Sequence, residues 1–227
     1  MKSENIKNSK AAVVLLSGGQ DSTTCLYWAK QRFDTVLAIG FDYNQRHKLE
    51  LEQAKLIAKE ANVELCLMEL PILSDITKNA LVNCNISVET YNENQFQKSP
   101  PNTEVVGRNM LFLTYAAIYA KQYSIENIVT GVSQTDFSGY PDCREAFILS
   151  LEKTLTLSMD YPYKIHTPLM HINKAQAWEL ADKLGILNII KNKTLTCYNG
   201  IIGDGCTACP ACALRKRGYE EFIKRKI

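Results

Sequence analysis

Short apolar runs alternate with stretches of helical periodicity along most of the chain. Ala12–Leu16 is a β-branched and leucine run that predicts a buried strand. It ends in Ser17-Gly18-Gly19 and passes into a helical pattern from Ser22 to Arg32. Thr35–Asp42 predicts a second strand. Lys48–Ala61 predicts a helix with Leu51, Ala54, Ile57 and Ala58 on one face, and Glu64–Leu70 a third strand stopped by Pro71. Further on come a helix from about Met110 to Tyr123, a strand at Ile128–Val132 and a helix from about Glu145 to Ser158. A short strand at Ile165–Pro168 and a helix at Lys174–Leu184, capped by Asn173 and closed by Gly185, follow. This alternation predicts an α/β fold, a Rossmann-like parallel sheet of about five strands with helices on both faces. In such sheets ligands bind at the carboxyl ends of the strands. Ser74–Glu104 breaks the rhythm: it is rich in Asn, Ser, Gln and Thr, ends in Ser99-Pro100-Pro101-Asn102, and reads as a lid or binding loop.

Composition narrows the function classes. With 227 residues, 46% hydrophobic and 22% charged, the chain has room for one sizeable core and a small appendage. A net charge of +2 gives no electrostatic grip on nucleic acid or membrane. Met1–Lys10 is polar and no apolar run approaches membrane-spanning length, so a cytoplasmic protein is expected.

The chemistry concentrates at strand ends. Adjacent glycines at Gly18-Gly19 allow successive N–H groups to line one concavity, and the following helix start favours an anion there, with Ser17, Ser22 and Thr23 adding hydroxyls. Asp21 beside that anion implies either a Mg²⁺ ion between the two or a helix cap. Arg108 opens a helix against the dipole, which points to an anion or a partner carboxylate nearby. In Ser133–Arg144 a planar ring could stack on Phe137 or Tyr140 while Asp136, Asp142 and Arg144 read its edge; Asp142 could instead cap the next helix. Of the three histidines only His47, close to the second strand's end, has a functional position.

Eight cysteines in such a chain call for something other than disulfides. Four of them, Cys197, Cys206, Cys209 and Cys212, fall in the spacing C-x8-C-x2-C-x2-C, which suits a closed tetrahedral metal site. Zinc leads, and an iron–sulfur cluster suits the same ligands. The expected organisation is a nucleotide-binding domain at 1–196, with 74–104 as its lid, and a metal-binding segment with a last helix at 197–227.

Ser17-Gly18-Gly19-Gln20-Asp21-Ser22 resembles the PP-loop of the ATP pyrophosphatases, a superfamily of adenine nucleotide alpha hydrolase-like fold that splits ATP between its α and β phosphates. Four further stretches narrow the match: Asp42–His47, Gly107-Arg108-Asn109, Asp136–Arg144, and Cys197-Tyr198-Asn199-Gly200 with the cysteines after it. Together, from about Val13 to Phe222, they resemble the 7-cyano-7-deazaguanine (preQ0) synthase family of queuosine biosynthesis. Val106 departs from that pattern, which has proline there. The resemblance implies conversion of 7-carboxy-7-deazaguanine and ammonia to the nitrile, through an acyl adenylate and an amide, by a homodimer using ATP, Mg²⁺ and Zn²⁺. It implies ATP binding by Leu16, Ser17, Gly18, Gly19, Gln20, Asp21, Ser22, Thr23, Asp42 and Arg108, with Asp21, Ser22 and Arg108 catalytic. The deazaguanine would lie on Asp136, Phe137, Tyr140, Asp142 and Arg144. Two rivals stay in view. A PP-loop tRNA thiolase is disfavoured by the near-neutral charge, and a non-catalytic nucleotide sensor would not need the Asp21 and Arg108 constellation.

Overall fold

The computed structural model describes residues 10–46, 48–77, 79–83, 85–90, 102–135 and 140–226. Its sheet is built from β1 (Ala11–Leu15), β2 (Thr35–Asp42), β3 (Glu64–Glu69), β4 (Asn127–Val129) and β5 (Lys164–His166). The strand order is β3-β2-β1-β4-β5 and every pairing is parallel. The helices are α1 (Gln20–Lys30), α2 (Leu49–Glu60), α3 (Ile72–Ile76), α4 (Arg108–Gln122), α5 (Glu145–Met159), α6 (Lys174–Lys183), α7 (Leu187–Lys193) and α8 (Pro210–Lys226).

A parallel sheet is covered on both faces, so its central strands are near-continuous apolar runs. In β1, Ala11 and Val13 join one core cluster with Leu113, Ala116 and Ala117 of α4 and Ile148 of α5. Ala12 and Val14 point the other way, against Cys25, Leu26 and Ala29 of α1 and Ala54, Ile57 and Ala58 of α2. The order reverses at β1, between β2 and β4, which opens a crevice above their carboxyl ends.

The expected elements are present, with differences at their ends. α1 begins at Gln20 instead of Ser22, because Gly19 is already extended and acts as the cap. β4 is short, and its pairing with β5 ends at Val129 against His166. α3 and α7 were not anticipated: Ile72–Ile76 is a single turn that runs into the start of the expected lid, and the few apolar positions in Leu187–Lys193 give no clear period. Within the expected lid, 91–101 lie outside the described residues. The described flanks are tied down: Leu81 O accepts from Arg46 N at 2.7 Å, and Ala80 N donates to Asn102 O at 2.9 Å. The C-terminal segment packs on the body, where Trp178 of α6 is buried with Ile190 and Phe222 and donates from Nε1 to Arg215 O at 3.2 Å. Among the described residues, no helix is long and apolar enough to cross a membrane.

Candidate active site

The crevice holds a cavity of about 310 Å³, walled by the Ser17–Ser22 turn on one side and by Arg108, Tyr140 and Tyr198 on the other. The turn is pinned from below. Gly18 has φ +83°, and a Cβ there would stand 2.7 Å from both Glu50 O and Ala54 N, so no side chain fits. Ser22 Oγ accepts from Ser17 N at 3.2 Å and donates to Gly19 O at the same distance, closing the loop over the start of α1. From the far side, Leu195 N donates to Gly18 O at 2.9 Å and Gln20 N to Thr196 Oγ1 at 3.3 Å.

Asp21 does not cap α1. Its Oδ2 receives Lys174 Nζ at 2.6 Å, and its Oδ1 is buried with no hydrogen-bond partner. That orphaned oxygen fits a cation. Lys174 lines the same cavity from the first turn of α6, which makes it a second cation set against a helix dipole. Lys174 carries the same sequence signal as Arg108, a cation at a helix start, and was missed as a site residue.

Arg108 stands at the start of α4 facing the cavity, with Nη1 donating to Tyr43 Oη at 3.5 Å. Burial works against its charge, but the phenol oxygens of Tyr43, Tyr198 and Tyr140 outweigh it and hold the guanidinium protonated. No carboxylate lies within ion-pair distance of it among the described residues, which favours an anionic ligand as the reason for its place. Burial likewise pushes the phenols of Tyr43, Tyr140 and Tyr198 up, so all three stay neutral. Phe41 and Phe112, stacked at 4.3 Å, add a flat apolar wall. Glu50, in the first turn of α2, brings a carboxylate into the same cavity; burial lifts it from 4.5 to about 7, against the pull of Arg108. Glu50 and Tyr198 were missed as site residues. Glu50 reads as one of two acids in an ordinary solvated helix start, and Tyr198 stands beside a cysteine that drew attention to metal.

Not every expected ligand lies in the wall. Leu16, Ser17, Gly19, Gln20, Asp21, Ser22, Arg108 and Tyr140 line the cavity. Gly18 lies beneath it against α2, Thr23 is turned into the core, and Asp42 is engaged by Asn44 N at 3.0 Å and Lys48 Nζ at 3.4 Å. Asp142 takes the capping role, but for α4: its Oδ2 accepts from Asn109 N at 3.0 Å. Arg144 is exposed and away from the cavity wall. Asp136, Phe137 and His47 lie outside the described residues.

The ligand atoms of Cys197, Cys206, Cys209 and Cys212 all lie within 4.8 Å of one another. Gly205, at φ +73°, leaves the room they need: a Cβ would stand 2.2 Å from Cys212 Sγ. N–H groups of Asn199 and Cys209 donate to Cys197 Sγ and Cys206 Sγ, each at 3.3 Å, as suits charged thiolates. Such a donor set can hold a metal with no position open for substrate.

A family model described as "Queuosine biosynthesis protein QueC" matches residues 11–223. The 7-cyano-7-deazaguanine synthase of Clostridium acetobutylicum is 57% identical over 215 residues, 95% of this chain and 96% of that protein. The one from Clostridium botulinum (strain 657 / Type Ba4) is 55% identical over 220 residues, 97% of this chain and 99% of that one. Among solved structures, a 4-thiouridine synthetase–RNA complex with bound ATP is similar at a TM-score of 0.52 and 16% identity, over 95% of this chain and 51% of that one, and so shares the fold. The chain belongs to the QueC family of queuosine-biosynthesis proteins, whose curated relatives here are named 7-cyano-7-deazaguanine synthase.

Proposed function

We propose that this chain converts 7-carboxy-7-deazaguanine and ammonia to 7-cyano-7-deazaguanine, splitting ATP to AMP and pyrophosphate. The observation that carries this reading is that one cavity is lined by both the Ser17–Ser22 turn and the Arg108–Tyr140–Tyr198 wall. A carboxylate is a poor electrophile, and transfer of AMP to it makes a leaving group. The Ser17–Ser22 turn and Lys174 receive pyrophosphate, and Asp21 Oδ1 would be a ligand for Mg²⁺, whose charge would offset that of the phosphates. Arg108 stabilises charge on the substrate carboxylate and then on the acyl oxyanion. Tyr140 and the Phe41–Phe112 wall bracket the planar ring. Ammonia gives the amide, and activation of the amide oxygen by a second adenylation permits elimination to the nitrile. Zinc in the four-cysteine site would be structural.

Incubation with ATP, Mg²⁺, an ammonium salt and 7-carboxy-7-deazaguanine is expected to yield the nitrile with AMP and pyrophosphate by mass spectrometry. ATP cleavage indifferent to the deazaguanine would remove the substrate assignment and keep the phosphate loop. A homodimer completes the reading: α5 exposes Leu149 at 55% and Leu157 at 73%, apolar surface that a second copy would cover. Light scattering is expected to give twice the chain mass, and Leu157→Lys to weaken the dimer on the order of tenfold or more.

A further inference from the structure

Two carboxylates face the cavity, Asp21 and Glu50, and they differ in what holds them. Asp21 is paired to Lys174. The Glu50 carboxylate accepts no hydrogen bond and makes no ion pair within 4.0 Å among the described residues. The groups nearest it in charge are Arg108 at the start of α4, Tyr43 after β2 and Tyr198 after α7, while Tyr140, Asp21 and Lys174 line the same cavity farther round. None of the phenols offers it a cation, and Arg108 is turned to Tyr43. A partly buried carboxylate without a bonded partner is costly, and a small cation bound there offsets the cost.

We propose that Glu50 binds ammonium and takes its proton in the amide-forming step. This assignment rests on the reaction proposed above. Of that reaction's participants, the carboxylate substrate and ATP are anions, and ammonium is the small cation. At neutral pH nearly all of the nitrogen is ammonium, which has no lone pair and cannot attack. One proton passes from ammonium to the Glu50 carboxylate. The freed lone pair forms the C–N bond, the C–O bond to AMP breaks, and its electron pair leaves on the phosphate oxygen. A second nitrogen proton goes to the departing phosphate or to water, leaving the neutral amide. Position supports the role. The Glu50 main chain is in contact with the phosphate loop, since a Cβ on Gly18 would lie 2.7 Å from Glu50 O. Its side chain lines the same cavity as the Ser17–Ser22 turn, within the electrostatic reach of Arg108. A carboxyl group lifted to about 7 by burial is also matched to accepting and releasing a proton near neutrality.

The test compares Glu50→Gln with wild type in two assays on the full-length protein. In pyrophosphate–ATP exchange driven by 7-carboxy-7-deazaguanine, the variant is expected to stay within about threefold of wild type, with unchanged KM for the deazaguanine, because adenylation needs no ammonia. In amide formation at pH 7 it is expected to lose about 100-fold, recovering about tenfold per pH unit as free ammonia rises. Hydroxylamine, uncharged at pH 7, should give hydroxamate at near wild-type rate. Loss of exchange with a raised KM would overturn the assignment in favour of Glu50 reading the ring edge. Amide formation unaffected at pH 7 would overturn it outright. Absence of exchange in wild type would instead remove the reaction on which it rests. Folding gives a separate check. The Glu50 pKa is raised from 4.5 to about 7, so the fold disfavours its charged form and loses stability as pH rises through that interval. Gln lacks this penalty, so the variant should match the wild-type Tm at pH 4 and exceed it at pH 8.

Discussion

Replacing Arg108 by Met is expected to lower the rate of pyrophosphate–ATP exchange on the order of 10²- to 10³-fold while leaving Tm unchanged or slightly raised. The two effects separate because the guanidinium is set for a ligand and not for the fold. It opens α4, where a cation opposes the helix dipole. It is partly buried, and among the described residues it bonds only a neutral phenol, Tyr43 Oη at 3.5 Å. The helix dipole opposes a charge so placed, the surrounding phenol oxygens offset its burial, and an apolar side chain of similar length should leave the stability of the fold little changed. When a carboxylate or phosphate arrives, the same charge acts in a cavity walled by Phe41, Phe112 and neutral tyrosines, where weak screening strengthens it. Exchange assays with differential scanning fluorimetry decide the matter. Activity and Tm falling together would make Arg108 a structural residue. Lys should restore only part of the rate, since it keeps the charge and loses the planar fork.

How much of this was legible in the sequence depends on the range of the interaction involved. The strands were readable because Ala11–Leu15 and the Ala38–Phe41 stretch of the second strand are buried on both faces and so form apolar runs. The Ser17–Ser22 turn into α1 was readable because Gly18-Gly19 is a local signal at a strand end. The four cysteines were readable because their spacing alone brings them together. Contacts across many residues left no such mark. Lys174 meets Asp21 from 153 positions away. Asp142 fits a cap for the helix that follows it, yet caps α4, which precedes it, because the short 3₁₀ turn at Pro141–Cys143 folds back on that helix. Glu50 becomes a cavity residue only because α2 presses its first turn against Gly18. Local pattern thus places the frame and the Ser17–Ser22 turn, and tertiary packing selects which charged groups share the cavity.

The same long-range packing predicts that disturbing the C-terminal helix weakens ATP binding as well as stability. Arg215 of α8 is 3% exposed, and no carboxylate meets it among its hydrogen-bond partners. It donates to Thr194 Oγ1 at 2.8 Å, Thr196 Oγ1 at 3.2 Å and Ile190 O at 2.6 Å, with its guanidinium 5.1 Å from the Trp178 ring centre. Thr196 Oγ1 in turn accepts from Gln20 N, and its neighbour Leu195 donates to Gly18 O. One side chain therefore fixes the strap that holds the phosphate loop from above. Cys209 and Cys212 lie within the same helix's approach and first turn, so metal at the four-cysteine site would set where α8 begins and how Arg215 is aimed. Arg215→Met removes the guanidinium's bonds to Thr194, Thr196 and Ile190 and leaves Thr194 Oγ1 and Ile190 O only the bond they share, at a cost of about 3 kcal/mol, or about 6–12 °C in Tm for a chain of this size. It also releases the strap, so the KM for ATP should rise about tenfold or more, with the smaller part of the loss in kcat. Chelation of the metal should reproduce this pattern in wild type. Hydrogen exchange would then quicken at 190–196 and 16–22 while β1 and β2 stay protected. Uniform loss of protection across the sheet would instead mean that the metal holds the whole fold. Unchanged ATP affinity in Arg215→Met would show that the phosphate loop keeps its shape without the strap.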